Sequence, residues 1–136
     1  MKSGLRHYLI LLFILLGAFF VRTFRTDDLL RFYYDQGRDA QIIQRVISEH
    51  RPVLVGPTTG LAGILRGPAY YYLVLPGYAI GHGSPVIAAI WLQAINIVGL
   101  LFIYLCGRQL FGARAGLIAV LFASFSYRFV DLFRCL

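Results

Sequence analysis

The chain has 136 residues, 59% of them hydrophobic and 14% charged. A soluble domain of this size carries about a quarter charged residues, so the composition points away from a soluble globular domain and toward a single membrane-embedded one. The net charge of +7 comes from twelve arginines and one lysine against six acids. These arginines flank or separate apolar runs instead of clustering on a polar face, which fits membrane lipids as partners and argues against nucleic acid.

Residues 8–21 are an uncharged run between His7 and Arg22. With Arg22 snorkelling toward headgroups, the usable apolar length reaches roughly 20 residues, and a first span is expected over residues 8–24. A signal peptide starting on Lys2 and Arg6 is the competing reading. The cleavage pattern is poor, since Leu16-Gly17-Ala18 runs straight into Phe19-Phe20.

Residues 22–67 form the one long polar segment, where extramembrane function belongs. Tyr34–Glu49 is expected to be a helix, because Ile42, Ile43, Val46 and Ile47 define a single apolar stripe that would lie down on the membrane surface. It should stop near His50-Arg51-Pro52, since proline disfavours helix at the preceding residue. The sequence VLVGPTTGLAGILRGP that follows reads as irregular backbone, without a GxGxxG or Walker pattern. Asp35, Arg38 and Asp39 are spaced i, i+3, i+4 and share a helix face. One reading is local: the acids favour the positive helix N-terminus and Arg38 pairs with them. The other is chemical: a carboxylate and a guanidinium held together suit a transfer in which a hydroxyl attacks a carbon bearing a phosphate leaving group.

From Gly67 to Gly107 there is no Lys, Arg, Asp or Glu. Residues 86–106 read as a second span and residues 113–130 as a short third one, completed by snorkelling of Arg114 and Arg128. Arg108 and Arg114 bracket GRQLFGAR, expected to be a cytoplasmic loop, and Lys2 and Arg6 also belong inside. An even number of crossings then separates the two, so residues 68–82, which contain Pro76, should be interfacial or re-entrant. Tyr70, Tyr71, Tyr72 and Tyr78 are expected at headgroup level. The loop of residues 25–82 becomes extracytoplasmic, although the seven arginines from Arg22 to Arg66 pull the other way. Gln93 and Asn96, one turn apart, are expected to glue helices together. His7, His50 and His82 have no ligand spacing, and Cys106 and Cys135 form no CxxC pattern, so no metal site is expected and the cysteines are expected in the core or incidental.

A first span, a loop opening on a D-x-x-R-x-A helix, a Pro-plus-aromatic segment, a second span ending in GRxLFG and an Ala/Leu-rich third run follow one another. This order resembles the N-terminal part of bacterial polyprenyl-phosphate-sugar glycosyltransferases of the dolichyl-phosphate-mannose–protein mannosyltransferase superfamily. Asp35-Gln36-Gly37-Arg38-Asp39-Ala40 stands where many members have D-E-x-R-Y-A, and YDQGRDA with LVGP and GPAYYYL looks most like the Rgt-type branch. Arg66-Gly67-Pro68-Ala69-Tyr70-Tyr71 loosely matches the later H/K-P-P-L-x-Y motif. The resemblance covers about residues 30–126 and departs at Gln36, at Arg66-Gly67 and after Ser126.

The resemblance implies an all-α, polytopic chain forming the N-terminal portion of a GT-C fold, as a fragment of a longer enzyme and inactive alone. It implies the bacterial cytoplasmic membrane, with the N-terminus cytoplasmic. Asp35 becomes the catalytic base, Arg38 and Arg66 the candidates for the lipid phosphate, and Asp39, Tyr70 and Tyr71 further substrate-binding residues. The donor would be a polyprenyl-phosphate-linked sugar, the acceptor a lipid or protein of the cell envelope, with no cofactor. A non-catalytic small membrane protein and a component that binds polyprenyl lipids without transferring sugar are the alternatives.

Overall fold

The computed structural model of the protein describes residues 2–30, 34–57 and 66–126, and the side chains of all but 2–4 and 29 among them. The described residues are all-helical: α1 (Lys2–Thr23), α2 (Thr26–Leu29), α3 (Tyr34–Glu49), α4 (Ala69–Ile80), α5 (Pro85–Phe111) and α6 (Ala113–Phe125). They form two compact units. The first contains α1, α2, α6 and α5 from Gln93 onward; the second contains α3, α4 and α5 up to Leu92.

In the first unit Leu11, Ile14 and Ala18 of α1 pack with Leu100 and Tyr104 of α5 and Val120 of α6. Outside that seam the helices expose Leu9, Phe13, Leu16, Phe20, Phe102 and Phe122. Helices that are apolar on every side require an apolar solvent. Two stretches, Leu5–Asp28 and Pro85–Phe111, are long and apolar enough to cross a membrane, and only 22% of the most apolar part of each is buried inside the protein. The core helix of a soluble protein would be mostly covered, so the pattern is that of a membrane protein.

The ends of the helices fix their directions. Arg108, near the end of α5, donates to the Tyr8 hydroxyl at 2.8 Å and stacks over its ring at 5.6 Å. At the other end of α1, Arg22 donates to the Ser124 carbonyl at 2.7 Å and to the Ala123 carbonyl at 3.3 Å. Within this unit α5 therefore runs antiparallel to α1, and α6 parallel to it. Arg22 is 1% exposed and does not snorkel as expected. The last carbonyls of α6 have no intrahelical partners and carry the negative end of its dipole, and they draw the guanidinium inward. Gln93 is buried in the same unit, while Cys106 is exposed instead of in the core.

GRQLFGAR is not a loop. Helix α5 continues to Phe111, Gly112 turns the chain with φ 92°, and α6 begins at Ala113. The tight joint needs backbones in contact: a Cβ on Gly107 would lie 2.9 Å from the Gly116 Cα, and one on Gly116 would lie 2.8 Å from the Tyr104 carbonyl oxygen. Only glycine admits this approach. Helix α6 has 13 residues, about 20 Å, short of the bilayer's hydrocarbon thickness. The rest of the expected third span, including Arg128, lies outside the described residues, as does Cys135.

In the second unit α3 runs over Tyr34–Glu49 as expected and stops at His50, whose φ of 53° breaks the helix ahead of Pro52. Its stripe is only partly covered by protein. Ala40 and Ile43 pack with Tyr71, Val74 and Tyr78 of α4 and Ala88 of α5, with Ile42 and Ile47 at the edge. Val46 stays outside this core, half-buried. Helix α4 has 12 residues, about 18 Å, too few to cross. Its tyrosines are not a headgroup belt: Tyr71 and Tyr78 are core residues at 2% exposure, Tyr70 is half-buried, and Tyr72 is exposed. Gly77 lets α4 meet α5, since a Cβ there would come within 2.8 Å of both the Ala88 Cα and the Trp91 Cβ.

Candidate functional site

The first two turns of α3 build the site. Asp35, Arg38 and Asp39 lie on one face, and Ile43, one turn beyond Asp39, is the residue α3 buries most deeply. Asp39 therefore sits where the polar face meets the covered stripe, within reach of α4. Its Oδ1 accepts from Arg38 Nε at 3.1 Å, from Arg38 Nη2 at 3.0 Å and from the Tyr71 hydroxyl at 3.2 Å. The Asp39 side chain is 13% exposed, that of Asp35 79%. The two acids are thus different in kind. Asp39 is an anchor, and Asp35 is an open carboxylate with one 3.4 Å contact to Arg38 Nη1.

The electrostatics follow from this placement. The hydrogen bond and charge of Asp39 hold the Arg38 guanidinium still more firmly in its charged form. Burial, and then the negative charge of Asp39, push the Tyr70 and Tyr71 phenols up. Burial pushes Tyr78 up to about 12, with Tyr70 and Asp39 adding to it. All three phenols stay protonated near neutrality, so Tyr71 is a donor to Asp39.

Of the residues expected at the site, Asp35, Arg38, Asp39 and Tyr71 come together through direct contacts, and Tyr70 lies beside Tyr71 with ring centroids 6.1 Å apart. Arg66 does not join them: it is exposed, with no ion pair to Asp35 or Asp39 among the described residues. Its backbone is pinned instead, the Gly56 amide donating to the Arg66 carbonyl at 2.9 Å and the Arg66 amide to the Pro57 carbonyl at 3.1 Å. A Cβ on Gly56 would run into the Gly67 carbonyl, so glycine is required at that pinch. What sequence reasoning missed is that packing and the Tyr71 hydroxyl fix Asp39 in place. The available signal was the one-turn spacing of Asp39 from Ile43, which places this carboxylate and not Asp35 at the packed edge.

No group of three or more His, Cys, Asp or Glu able to hold a metal ion occurs among the described residues. Comparison of the chain with models of protein families, with curated proteins and with solved structures finds no match.

Proposed function

We propose that the chain is the N-terminal part of a membrane glycosyltransferase of GT-C type that transfers a sugar from a polyprenyl-phosphate donor to a cell-envelope acceptor such as lipid A, lipopolysaccharide or protein. The observation that carries this reading is the pairing of an open carboxylate, Asp35, with a guanidinium, Arg38, that Asp39 and Tyr71 hold in place. In the proposed reaction Asp35 takes the proton from the acceptor hydroxyl as that oxygen attacks the anomeric carbon. The bond to the phosphate oxygen breaks on the opposite face, and the configuration inverts. A phosphate leaves as a stable anion, so no second carboxyl is needed to protonate it, in contrast to glycoside hydrolysis. Positive charge is sufficient, and Arg38 supplies it, with Tyr70 and Tyr71 beside it on α4.

The proposed topology has three spans, a cytoplasmic N-terminus in the bacterial inner membrane and an extracytoplasmic loop. The Arg108–Tyr8 contact supports it, because the end of α5 beside the beginning of α1 requires an even number of crossings between them. With α4 too short to cross, α1 and α5 are those two crossings.

A second reading has its own observation. Arg38 spends Nε and Nη2 on Asp39, as a purely structural ion pair in a non-catalytic membrane protein would. Transfer from a polyprenyl-phosphate sugar, measured on a longer polypeptide carrying this chain, separates the two. Asp35→Asn should lower turnover by about a hundredfold or more and leave donor binding within a few-fold. Undiminished turnover would remove Asp35 from the mechanism and leave the structural reading.

A further inference from the structure

Where α3 ends, the left-handed turn at His50 folds the chain back along the helix, and the Tyr72 hydroxyl holds the returning strand by donating to the Val53 carbonyl at 3.0 Å. The space between is a groove of about 310 Å³. Ile42, Val46 and Val53 line it as half-buried apolar side chains, while Arg45, Glu49 and Arg51 line it as exposed ones.

Some arginines of the chain are committed: Arg22 to carbonyls, Arg25 to Asp28, Arg38 to Asp39 and Arg108 to Tyr8. Arg6, Arg66 and Arg114 pair with no carboxylate among the described residues and line no groove with an apolar floor. Arg45 and Arg51 pair with no carboxylate among the described residues. Arg45 and Glu49 stand in the less favourable i, i+4 order, with the cation toward the helix N-terminus, and make no ion pair. The groove thus combines an apolar floor with two uncommitted guanidiniums and a net positive charge. It belongs to the segment between two helices of membrane-crossing length. The complementary molecule bears an anionic phosphate and a hydrocarbon chain on the same skeleton. Neither Asp35 nor Asp39 lines the groove, so it is separate from the site described above.

We infer that this groove is a docking site for an anionic bilayer phospholipid, its phosphate held by Arg45 and Arg51 and the start of its acyl chain lying on Ile42, Val46 and Val53. The site stands whether or not the chain takes part in sugar transfer, and its test reads a different signal. The full chain is placed in phosphatidylcholine nanodiscs containing phosphatidylglycerol with a photoactivatable diazirine near the glycerol end of its acyl chain. After illumination, mass spectrometry locates the label.

Label is expected on residues 42–53. The double variant Arg45→Gln/Arg51→Gln should lower it by about tenfold or more, and Arg25→Gln, an equal charge loss per site outside the groove, should leave it within about twofold. Val46→Asp, which sets a like charge on the floor, should lower it in the same way, with circular dichroism showing that helix content is kept. Equal labelling in the double variant would overturn the assignment. So would equal labelling by a diazirine phosphatidylcholine, which would make the groove merely apolar. Displacement by inorganic phosphate or by an acidic peptide would also overturn it, by making the occupant a soluble anion.

Discussion

The two units use the helix in opposite ways. In the first, α1 and α5 bury a narrow seam and present large apolar side chains everywhere else, so solvent supplies no part of the pattern's polarity. In the second, α3 buries Ala40 and Ile43 and turns acids and arginines outward, as a helix in water does. Specificity has different sources in consequence. Lipid tails are as apolar as the helix surfaces, so burial alone cannot orient α1, α5 and α6; close glycine contacts and a few polar bonds at the ends do. In the second unit burial itself sets the packing, and most charged groups stay on the outward face.

The glycine contact of the first unit is the sharpest place to break this contrast. Gly116→Val should cost about 3 kcal/mol or more, because a side chain there meets the Tyr104 carbonyl and the Arg108 amide, which are backbone and cannot give way. Thermal unfolding in detergent measures it, and an unchanged midpoint would mean that α5 and α6 are not in contact there.

The second unit should instead fail at high pH. Tyr78 is neutral in both folded and unfolded states below pH 10, so its burial stabilises the fold without pH dependence there. As pH rises from 10 toward the folded value of about 12, the unfolded phenol ionises first, and the contribution, on the order of 2 kcal/mol, is lost. Alkaline titration followed by phenolate absorbance and circular dichroism should show a transition in that window, and Tyr78→Phe should remove the part due to this residue.

Smaller effects sharpen the contrast within α3 itself. Asp39→Asn removes the charged acceptor of Arg38 and Tyr71 and should destabilise by about 1 kcal/mol. Asp35→Asn should change stability by less than about 0.5 kcal/mol, as expected for an exposed side chain. Equal losses at the two positions, measured by chemical unfolding, would erase the distinction between anchor and open carboxylate.

Much of the fold was legible because its signals are local. The stripe from Ile42 to Ile47 and the proline at 52 mark α3 from end to end, and the uncharged runs mark α1 and α5. Two of the failures share one cause: the deciding partner is distant in sequence. Arg22 reads as a snorkelling residue because its carbonyl acceptors lie on α6. Tyr71 and Tyr78 read as an aromatic belt because α3, which covers them, is far away in the chain. The charges of GRQLFGAR suggest a loop, and only the fit of Gly107 against Gly116 shows that none is needed. At the site, spacing brings Asp35, Arg38 and Asp39 together but gives no hint that a tyrosine from α4 selects one acid over the other.

The bond between Arg22 and the Ser124 carbonyl joins residues 102 positions apart, which imposes an order on biogenesis. At a synthesis rate of about 5–20 residues per second, the guanidinium emerges roughly 5–20 seconds before its acceptor exists. Over that interval the guanidinium has only water, lipid headgroups and the carbonyls of its own helix for partners, the Ala18 carbonyl at 3.3 Å among them.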